Sequence, residues 1–267
     1  MKIGVTGAEG NIGRRLVKMG CVPLPFDVTN QEEIRENLHR VKPDIILHLA
    51  AQTSVDWCEK NYEDAVAINV FGTSAVCQIA EEVIGEGKVV LLSSCQVFDG
   101  ESWYRKEGDE PLPINNYGLT KLAAEGVVQL YGGKIIRISR CFDSKSQDIA
   151  TYLSQLKRGE YIKVPAHILR SYAHMDFIAE AIYEYAKRFE EMPEILHLGG
   201  MEVVSFYDLM NIIAAEYGLD HKLVTARGEE KGHVARPHKG GFDVSLAKSL
   251  GLPLYHIEDS VKRMRNE

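Results

Sequence analysis

The 267-residue chain has the composition of an ordinary globular protein, with 45% hydrophobic and 26% charged residues. That length suits one large domain, or a cofactor domain that carries a smaller lobe. The formal net charge of −7 argues against a general nucleic-acid or anionic-membrane surface, so an anionic ligand would need local positive charge or backbone amides.

The cysteines and the N-terminus both indicate a cytoplasmic protein. Five cysteines lie apart along the chain without a CxxC pair, which favours reduced thiols over a disulfide scaffold or a zinc site, and no metal is expected. The first residues lack the basic and apolar regions of a signal peptide. Since the chain has no run of about 18 apolar residues, no transmembrane helix is expected either.

Apolar runs of strand length alternate with helical patterns along the chain. The predicted strands are 2–7, 21–27, 44–51, 88–94, 134–139 and 195–199. The predicted helices are 11–20, 29–41, 61–84, 117–131, 147–157, 176–190, 205–217 and 257–266. Continuous apolar strands separated by helices predict an α/β fold, a Rossmann-type doubly wound parallel sheet with helices on both faces.

Two elements carry specific local expectations. The strand at 21–27 is a poor one because Pro23 and Pro25 each lack an amide donor. The helix at 29–41 is expected to be capped by Thr29, with Glu32 completing a capping box.

Weak patterning in 143–170 and 220–256 indicates a smaller substrate lobe above the carboxyl edge of the sheet. The expected dinucleotide-binding domain comprises residues 1–142 with about 171–200. The expected small C-terminal lobe comprises about 143–170 with 201–267.

A glycine-rich turn follows the first predicted strand. In "GVTGAEGNIGRRL", residues 4–16, Gly7, Gly10 and Gly13 have GxxGxxG spacing and open the first helix. Such glycines allow a sharp turn, close approach of a pyrophosphate, and tight packing of helix on strand. The amides at the helix start would then face the phosphates, so the pattern favours dinucleotide binding over a merely structural turn.

The group at the cofactor's 2′ position stays open. Asp27 lies about 20 residues after the first glycine, where an acid often binds the adenosine ribose. Arg14 and Arg15 are placed either to meet a 2′-phosphate or simply to be solvated. The sequence therefore does not choose between NAD and NADP.

A tyrosine and a lysine lie four residues apart on a predicted helix. This spacing puts Tyr117 and Lys121 on one face, where the ammonium is expected to lower the pKa of the phenol. A Tyr–Lys surface pair is the alternative. Ser94 ends a predicted strand 23 residues earlier, at the ligand edge of the sheet, and Asn69 lies on the preceding helix.

Together these motifs resemble the extended short-chain dehydrogenase/reductase family over nearly the whole chain. The segments that carry the resemblance are TGxxGxxG, "HLAA" (48–51), "INVFGT" (68–73), "SSCQVF" (93–98), YxxxK and "RP" (236–237). Three further segments look most like the dTDP-4-dehydrorhamnose reductase branch: "AAQTSVDWCEKN" (50–61), "VFDG" (97–100) and "PINNYGLTK" (113–121).

The resemblance implies an NAD(P)-dependent oxidoreductase that reduces a nucleotide-linked 4-keto sugar in deoxysugar and polysaccharide precursor synthesis. Tyr117 would donate a proton to the sugar C4 carbonyl, Lys121 would hold the nicotinamide ribose, and Ser94 would orient the carbonyl. Asn69 would either support the lysine through water or tie the helix to a strand. The resemblance also admits a homodimer.

The implied cofactor is NADPH or NADH. The residues expected to contact it are Gly7, Gly10, Asn11, Ile12, Gly13, Asp27, Val28, Leu49, Ala50, Ala51, Asn69, Tyr117 and Lys121. The residues expected to contact the nucleotide sugar are Thr53, Val55, Ser94, Cys95, Arg140, Arg170 and Arg236.

Three departures from the reductase pattern keep alternatives open. Ser94-Cys95 stands where rhamnose-type reductases have Thr-Asp, and Arg140 stands where they have tryptophan. Arg170 is the leading arginine of a segment, 169–182, that resembles the sugar-nucleotide epimerases, in which this arginine binds the substrate pyrophosphate. Arg236 is a second candidate for that contact. The alternatives are an NAD-dependent epimerase and a non-catalytic subunit like the methionine adenosyltransferase regulatory subunit.

Overall fold

A computed structural model describes residues 1–228 and 234–267, so residues 229–233 of the expected lobe lie outside the described residues. The strands within the described residues are, in chain order, β1 (Ile3–Thr6), β2 (Val22–Pro23), β3 (Ile45–His48), β4 (Val89–Ser94), β5 (Lys134–Ile138), β6 (Cys141–Phe142), β7 (Ile162–Pro165), β8 (Leu169–Arg170), β9 (Ala173–His174), β10 (Ile195–Leu198), β11 (Val204–Ser205), β12 (Val224–Arg227) and β13 (Lys239–Gly240).

Eleven α-helices lie within the same residues. They are α1 (Asn11–Lys18), α2 (Gln31–Val41), α3 (Val55–Lys60), α4 (Tyr62–Val66), α5 (Gly72–Ile84), α6 (Asn116–Leu130), α7 (Gln147–Lys157), α8 (Met175–Lys187), α9 (Phe206–Glu216), α10 (Ser245–Ser249) and α11 (Ile257–Arg265). A π-helical turn covers Ala67–Phe71, and short 3₁₀ turns cover Cys95–Val97, Phe189–Glu191 and His221–Leu223.

The central sheet has six parallel strands in the order β10-β5-β4-β3-β1-β2, which confirms the expected doubly wound Rossmann-type fold. The order reverses beside β1, because β2 pairs with one side of it and β3 with the other. In such sheets, ligands bind beyond the carboxyl ends of the strands at this reversal.

Helices cover both faces of the sheet. On one face, Leu16 of α1 and Ile182 of α8 pack with strand residues such as Val5, and all three are buried. On the other face, Ile34 of α2 and Val76 of α5 belong to a second buried cluster. Because both faces are buried, most residues of the central strands are apolar, as expected for a parallel sheet.

The predicted helix at 61–84 is interrupted, and a short helix before it was missed. The interruption is the π-helical turn, where the buried Asn69 amide bonds both the backbone N–H and the carbonyl of Gln52, at 2.8 and 3.0 Å. The missed helix is α3, which Ser54 caps at the Trp57 amide; its six residues are too few to show a helical period.

The predicted cap of α2 was wrong by one residue. The Asn30 side chain accepts from the amides of Glu32 and Glu33, at 3.2 and 3.3 Å. Thr29 instead donates to the Asp27 carboxylate from both its amide and its hydroxyl. Asn is at least as good a cap as Thr, so the two adjacent candidates differ mainly in where the chain turns.

The predicted division into a dinucleotide-binding domain and a lobe stays a proposal. It is supported by a separate buried cluster in which α7, α9 and α11 enclose residues such as Phe142, Leu209 and Val261. Ala247 and Leu252, by contrast, pack into the cluster on the sheet. Of the helices within 1–228 and 234–267, none is both long and apolar enough to cross a bilayer.

Candidate active site

A crevice of about 1430 Å³ runs along the carboxyl edge of the sheet, and residues such as Tyr152 and Phe206 also line it. Most of the residues expected to contact cofactor or substrate line it: Gly7, Gly10, Asn11, Ile12, Gly13, Leu49, Ala50, Ala51, Thr53, Val55, Ser94, Cys95, Tyr117, Lys121, Arg140, Arg170 and Arg236. The fold therefore gathers residues from distant parts of the sequence at one edge.

Three expected cofactor contacts, Asp27, Val28 and Asn69, are not among the described residues that line the crevice. The Asp27 carboxylate accepts the Thr29 bonds, which hold the pKa of Asp27 below its usual range. Val28 is buried in the core cluster under α2 and α5. Asn69 bonds Thr120 as well as Gln52, so it ties the π-helical turn to α6 and to the chain after β3. Its expected contact with the cofactor stays a prediction.

The glycine turn forms a cradle that fits a dinucleotide pyrophosphate. Gly7 has φ +63°, and a Cβ there would lie 2.8 Å from the Ala50 nitrogen. A Cβ on Gly13 would lie 2.2 Å from the Gly7 carbonyl oxygen. Gly10 stands at the N-cap of α1 and has no side chain to occupy the first-turn amides, so these remain available to an anion.

A buried hydroxyl fixes the chain that lies against this cradle. Thr6 Oγ1 accepts from the amides of Leu49 and Ala50, both at 3.1 Å, and contacts His48 Nδ1 at 2.8 Å. Thr73 Oγ1 donates to the Asn69 carbonyl, so it accepts from His48 Nε2. Burial lowers the pKa of His48 to about 3, so the imidazole is neutral at neutral pH.

Tyr117 lies in the first turn of α6, buried in the crevice wall. Asn115 caps this helix by accepting from the Gly118 amide at 2.8 Å. Its Nδ2 group donates to the Gln96 side chain at 2.9 Å and to the Ala235 carbonyl at 3.0 Å. Tyr117 is thereby fixed relative to the end of β4 and to the segment that carries Arg236.

Burial sets the protonation of the catalytic candidates. It raises the pKa of the Tyr117 phenol above its ordinary value, while a hydrogen bond with Ser94 acts in the opposite direction. Burial also lowers the pKa of the Lys121 ammonium to about 8, against the attraction of Glu125. The expected lowering of the tyrosine pKa was therefore wrong for this structure, because loss of hydration outweighs the favourable contacts.

The three candidate substrate arginines have different surroundings. Arg140, half-exposed, pairs with Asp148 at 2.5 Å, and Arg236 pairs with Asp56 at 2.8 Å. Arg170 is buried and donates to three backbone carbonyls, those of Leu169, Pro237 and His238. This arrangement fixes the chain just after Arg236, so Arg170 holds part of the crevice wall in place.

Sequence reasoning missed the supporting residues of this site. Gln96 and Asn115 orient the helix of Tyr117, and Thr6 fixes the wall of the crevice. Asp148 and Asp56 pair the crevice arginines. Only Asn115 carried a signal that could have been used, since an Asn just before a helical pattern is a common cap.

A separate cluster joins His174, Asp176 and Glu267, whose ligand atoms lie within 4.8 Å of one another, as in a metal site. The Arg15 guanidinium lies among them. It bonds Asp176 at 2.5 Å and Asp143 at 2.9 Å, and lies 3.5 Å from Glu267. Arg15 thus supplies positive charge to this cluster and is engaged there rather than free for a 2′-phosphate.

Comparison with known proteins identifies the family. The family model described as RmlD substrate binding domain matches residues 1–267. The spore coat polysaccharide biosynthesis protein SpsK of Bacillus subtilis is 29% identical over 280 residues, covering 100% of this chain and 97% of SpsK. A dTDP-4-dehydrorhamnose reductase of Aggregatibacter actinomycetemcomitans is 30% identical over 223 residues, covering 76% of this chain and 75% of the reductase.

A solved structure shows the same fold. It is a dTDP-4-dehydrorhamnose reductase from Bacillus anthracis in complex with NADP, with a TM-score of 0.88 and 24% identity, covering 100% of this chain and 99% of that one. These comparisons confirm the resemblance seen in the sequence and, with it, the expected class of NAD(P)-dependent oxidoreductase. The chain belongs to the RmlD family, within the extended short-chain dehydrogenases/reductases.

Proposed function

We propose that this protein reduces the C4 carbonyl of a nucleotide-linked 4-keto sugar with NADPH or NADH, as a step in deoxysugar or polysaccharide precursor synthesis. The observation that carries the proposal is the meeting of Ser94 and Tyr117 in one crevice, with Lys121 one helical turn on and the glycine cradle at the same edge. The family relatives named as dTDP-4-dehydrorhamnose reductases support the same substrate class.

The residues of the chain fit the reductive direction. A reduced nicotinamide, when bound, supplies the hydride. The buried Tyr117 phenol is protonated at neutral pH, because burial raises its pKa, and it therefore carries a proton for the carbonyl oxygen. Ser94 bonds the phenol and would orient the same oxygen. The Lys121 ammonium, one helical turn from the phenol, would stabilise the phenolate as the proton leaves.

Two arginines in the crevice offer contacts for the anionic part of the substrate. Arg140 and Arg236 both line it, and each is held by one aspartate, so each guanidinium keeps further donors for an anionic group. We assign the pyrophosphate of the nucleotide to this part of the crevice. Arg170 supports it through the backbone it holds.

The test is direct. Purified protein is incubated with NADPH or NADH and a dTDP-linked 4-keto sugar, and cofactor oxidation is measured alongside the sugar product. Oxidation in step with carbonyl loss supports the reductase. Isomerisation without net cofactor consumption would identify an epimerase, and no turnover of a broad sugar panel by cofactor-bound protein would favour a non-catalytic subunit.

A cytoplasmic location and a homodimer are further parts of the proposal. All five cysteines are free thiols, as expected in a reducing compartment. Light scattering of the purified protein tests the dimer, and fractionation of the cells that produce it tests the location.

A further inference from the structure

A buried ion pair lies one helical turn beyond Lys121. Glu125 of α6 and Arg137 of β5 are each only 2% exposed. Arg137 donates through Nη2 to Glu125 Oε2 at 2.7 Å and through Nε to both carboxylate oxygens, at 3.0 and 3.2 Å. The Ser93 hydroxyl donates to Glu125 Oε1 at 2.5 Å, so the carboxylate is held from two neighbouring strands.

This carboxylate is the charge that acts on Lys121 from its own helix. Lys121 and Glu125 are the only charged residues of α6, and their i,i+4 spacing puts them on one face. The His48 ring of β3 also interacts with the lysine and is neutral at neutral pH, and the Tyr117 phenol, one turn earlier on the same helix, is protonated there. Arg137 is the charged group paired with the same carboxylate.

An ion pair in this position is not explained by stability alone. Taking both charges out of water is costly, and replacing a buried pair by apolar side chains is often neutral or stabilising. A role toward the crevice accounts for the pair better, because the helix turn that carries Glu125 adjoins the one that carries Lys121.

We propose that Glu125, held by Arg137 and Ser93, is a positioning residue that keeps the Lys121 ammonium charged where it meets the cofactor. The inference rests on the role given to Lys121 in the proposed function. Burial drives this lysine toward its neutral form, and Glu125 opposes that effect. A neutral lysine would neither hold a ribose hydroxyl as strongly nor stabilise a phenolate.

The experiment measures NADPH affinity by fluorescence between pH 6 and pH 10, without any sugar. In the native protein, affinity is expected to weaken as the pH rises through about 8, where Lys121 loses its proton. In Glu125→Gln, the midpoint, which is the pH at which half of this affinity change has occurred, is expected to fall by about one unit. At pH 8 this weakens NADPH binding by up to about fivefold. Glu125→Asp, which keeps the charge, is expected to keep the native midpoint.

Glu125→Gln leaves Arg137 buried without its partner, which destabilises the fold. A second variant therefore tests the proposal if Glu125→Gln does not fold. The double variant Glu125→Gln/Arg137→Met removes both charges together and is expected to fold and to show the lowered midpoint. A folded variant without Glu125 that keeps the native midpoint overturns the proposal, as does a native affinity that does not change between pH 6 and pH 10. Because no sugar is present, failure of the proposed reductase activity would leave these outcomes unaffected.

Discussion

The side-chain amide of Asn115 donates to the side-chain oxygen of Gln96 at 2.9 Å, and this bond joins the start of α6 to the end of β4. It matters because β4 ends at Ser94 and α6 begins next to Tyr117. The two hydroxyls assigned to the reaction are thus held together by a pair of residues that take no part in it.

Replacing Asn115 separates its two roles. Asn115→Ala is expected to lower the free energy of unfolding by about 1 kcal/mol through loss of the cap, and to reduce turnover. Asn115→Ser restores a capping hydroxyl but is too short to reach Gln96 and Ala235. It is therefore expected to recover most of the stability and little of the turnover, as measured by urea unfolding and by steady-state kinetics. Full recovery of turnover in Asn115→Ser would show that only the cap matters.

Removing the Tyr117 hydroxyl is expected to stop proton transfer. Tyr117→Phe should lower turnover of the 4-keto sugar by at least about 100-fold, while the dissociation constant for NADPH stays near the native value. Tyr131→Phe, at the end of the same helix, is the matched control and should change neither quantity. Turnover that survives Tyr117→Phe would refute the assigned role.

Arg15 is expected to stabilise the fold strongly, whereas Arg14, the preceding residue, is not. Arg15→Ala would leave three carboxylates, those of Asp143, Asp176 and Glu267, with much less positive charge among them. A loss of about 2–3 kcal/mol in unfolding free energy is expected for this partly buried network. Arg14→Ala is the control, because the Arg14 side chain is 64% exposed, and a change below about 0.5 kcal/mol is expected there. Equal effects in the two variants would contradict the network.

The protein is expected to lose stability below about pH 6. Burial lowers the pKa values of His48 and His197 to about 3, so the native state keeps both rings neutral while the unfolded chain protonates them near pH 6.5. The unfolded state then binds more protons, and unfolding free energy falls by up to about 1.4 kcal/mol per pH unit for each histidine.

Urea unfolding between pH 7 and pH 4 measures the slope of unfolding free energy against pH. His48→Gln keeps one acceptor and one donor for Thr6 and Thr73. It should reduce this slope by the contribution of one proton, about 1.4 kcal/mol per pH unit. His39→Gln, at an exposed position, should leave it unchanged. A native slope retained in His48→Gln would mean that other groups cause the acid sensitivity.

The sequence was sufficient for the features that follow from local pattern. Continuous apolar strands predicted the parallel sheet, and the strand–glycine–helix order located the cradle that Gly7 and Gly13 form. Tyr117 and Lys121 could be placed on one helix face because four residues span one turn. Each of these inferences depends on spacing within about 20 residues.

What the sequence could not supply are the contacts between distant segments. Arg15 meets Asp176, 161 residues away, and Arg170 bonds carbonyls 67 and 68 residues on. The protonation of Tyr117 also depends on packing, because its pKa is set by burial that no motif records. Helix periodicity, finally, does not reveal the π-helical turn. Within that turn, the Asn69 side chain bonds the backbone of Gln52, a contact that the helical pattern does not predict.

The two outer strands of the sheet restrict how a second copy could attach. At one end, β2 is two residues long and includes Pro23, which offers no N–H to an added strand. At the other end, the amide of His197 in β10 donates to the Glu107 carboxylate, and its ring contacts the Arg105 carbonyl. A continuous central sheet shared across two subunits is therefore disfavoured, and self-association would use other surfaces.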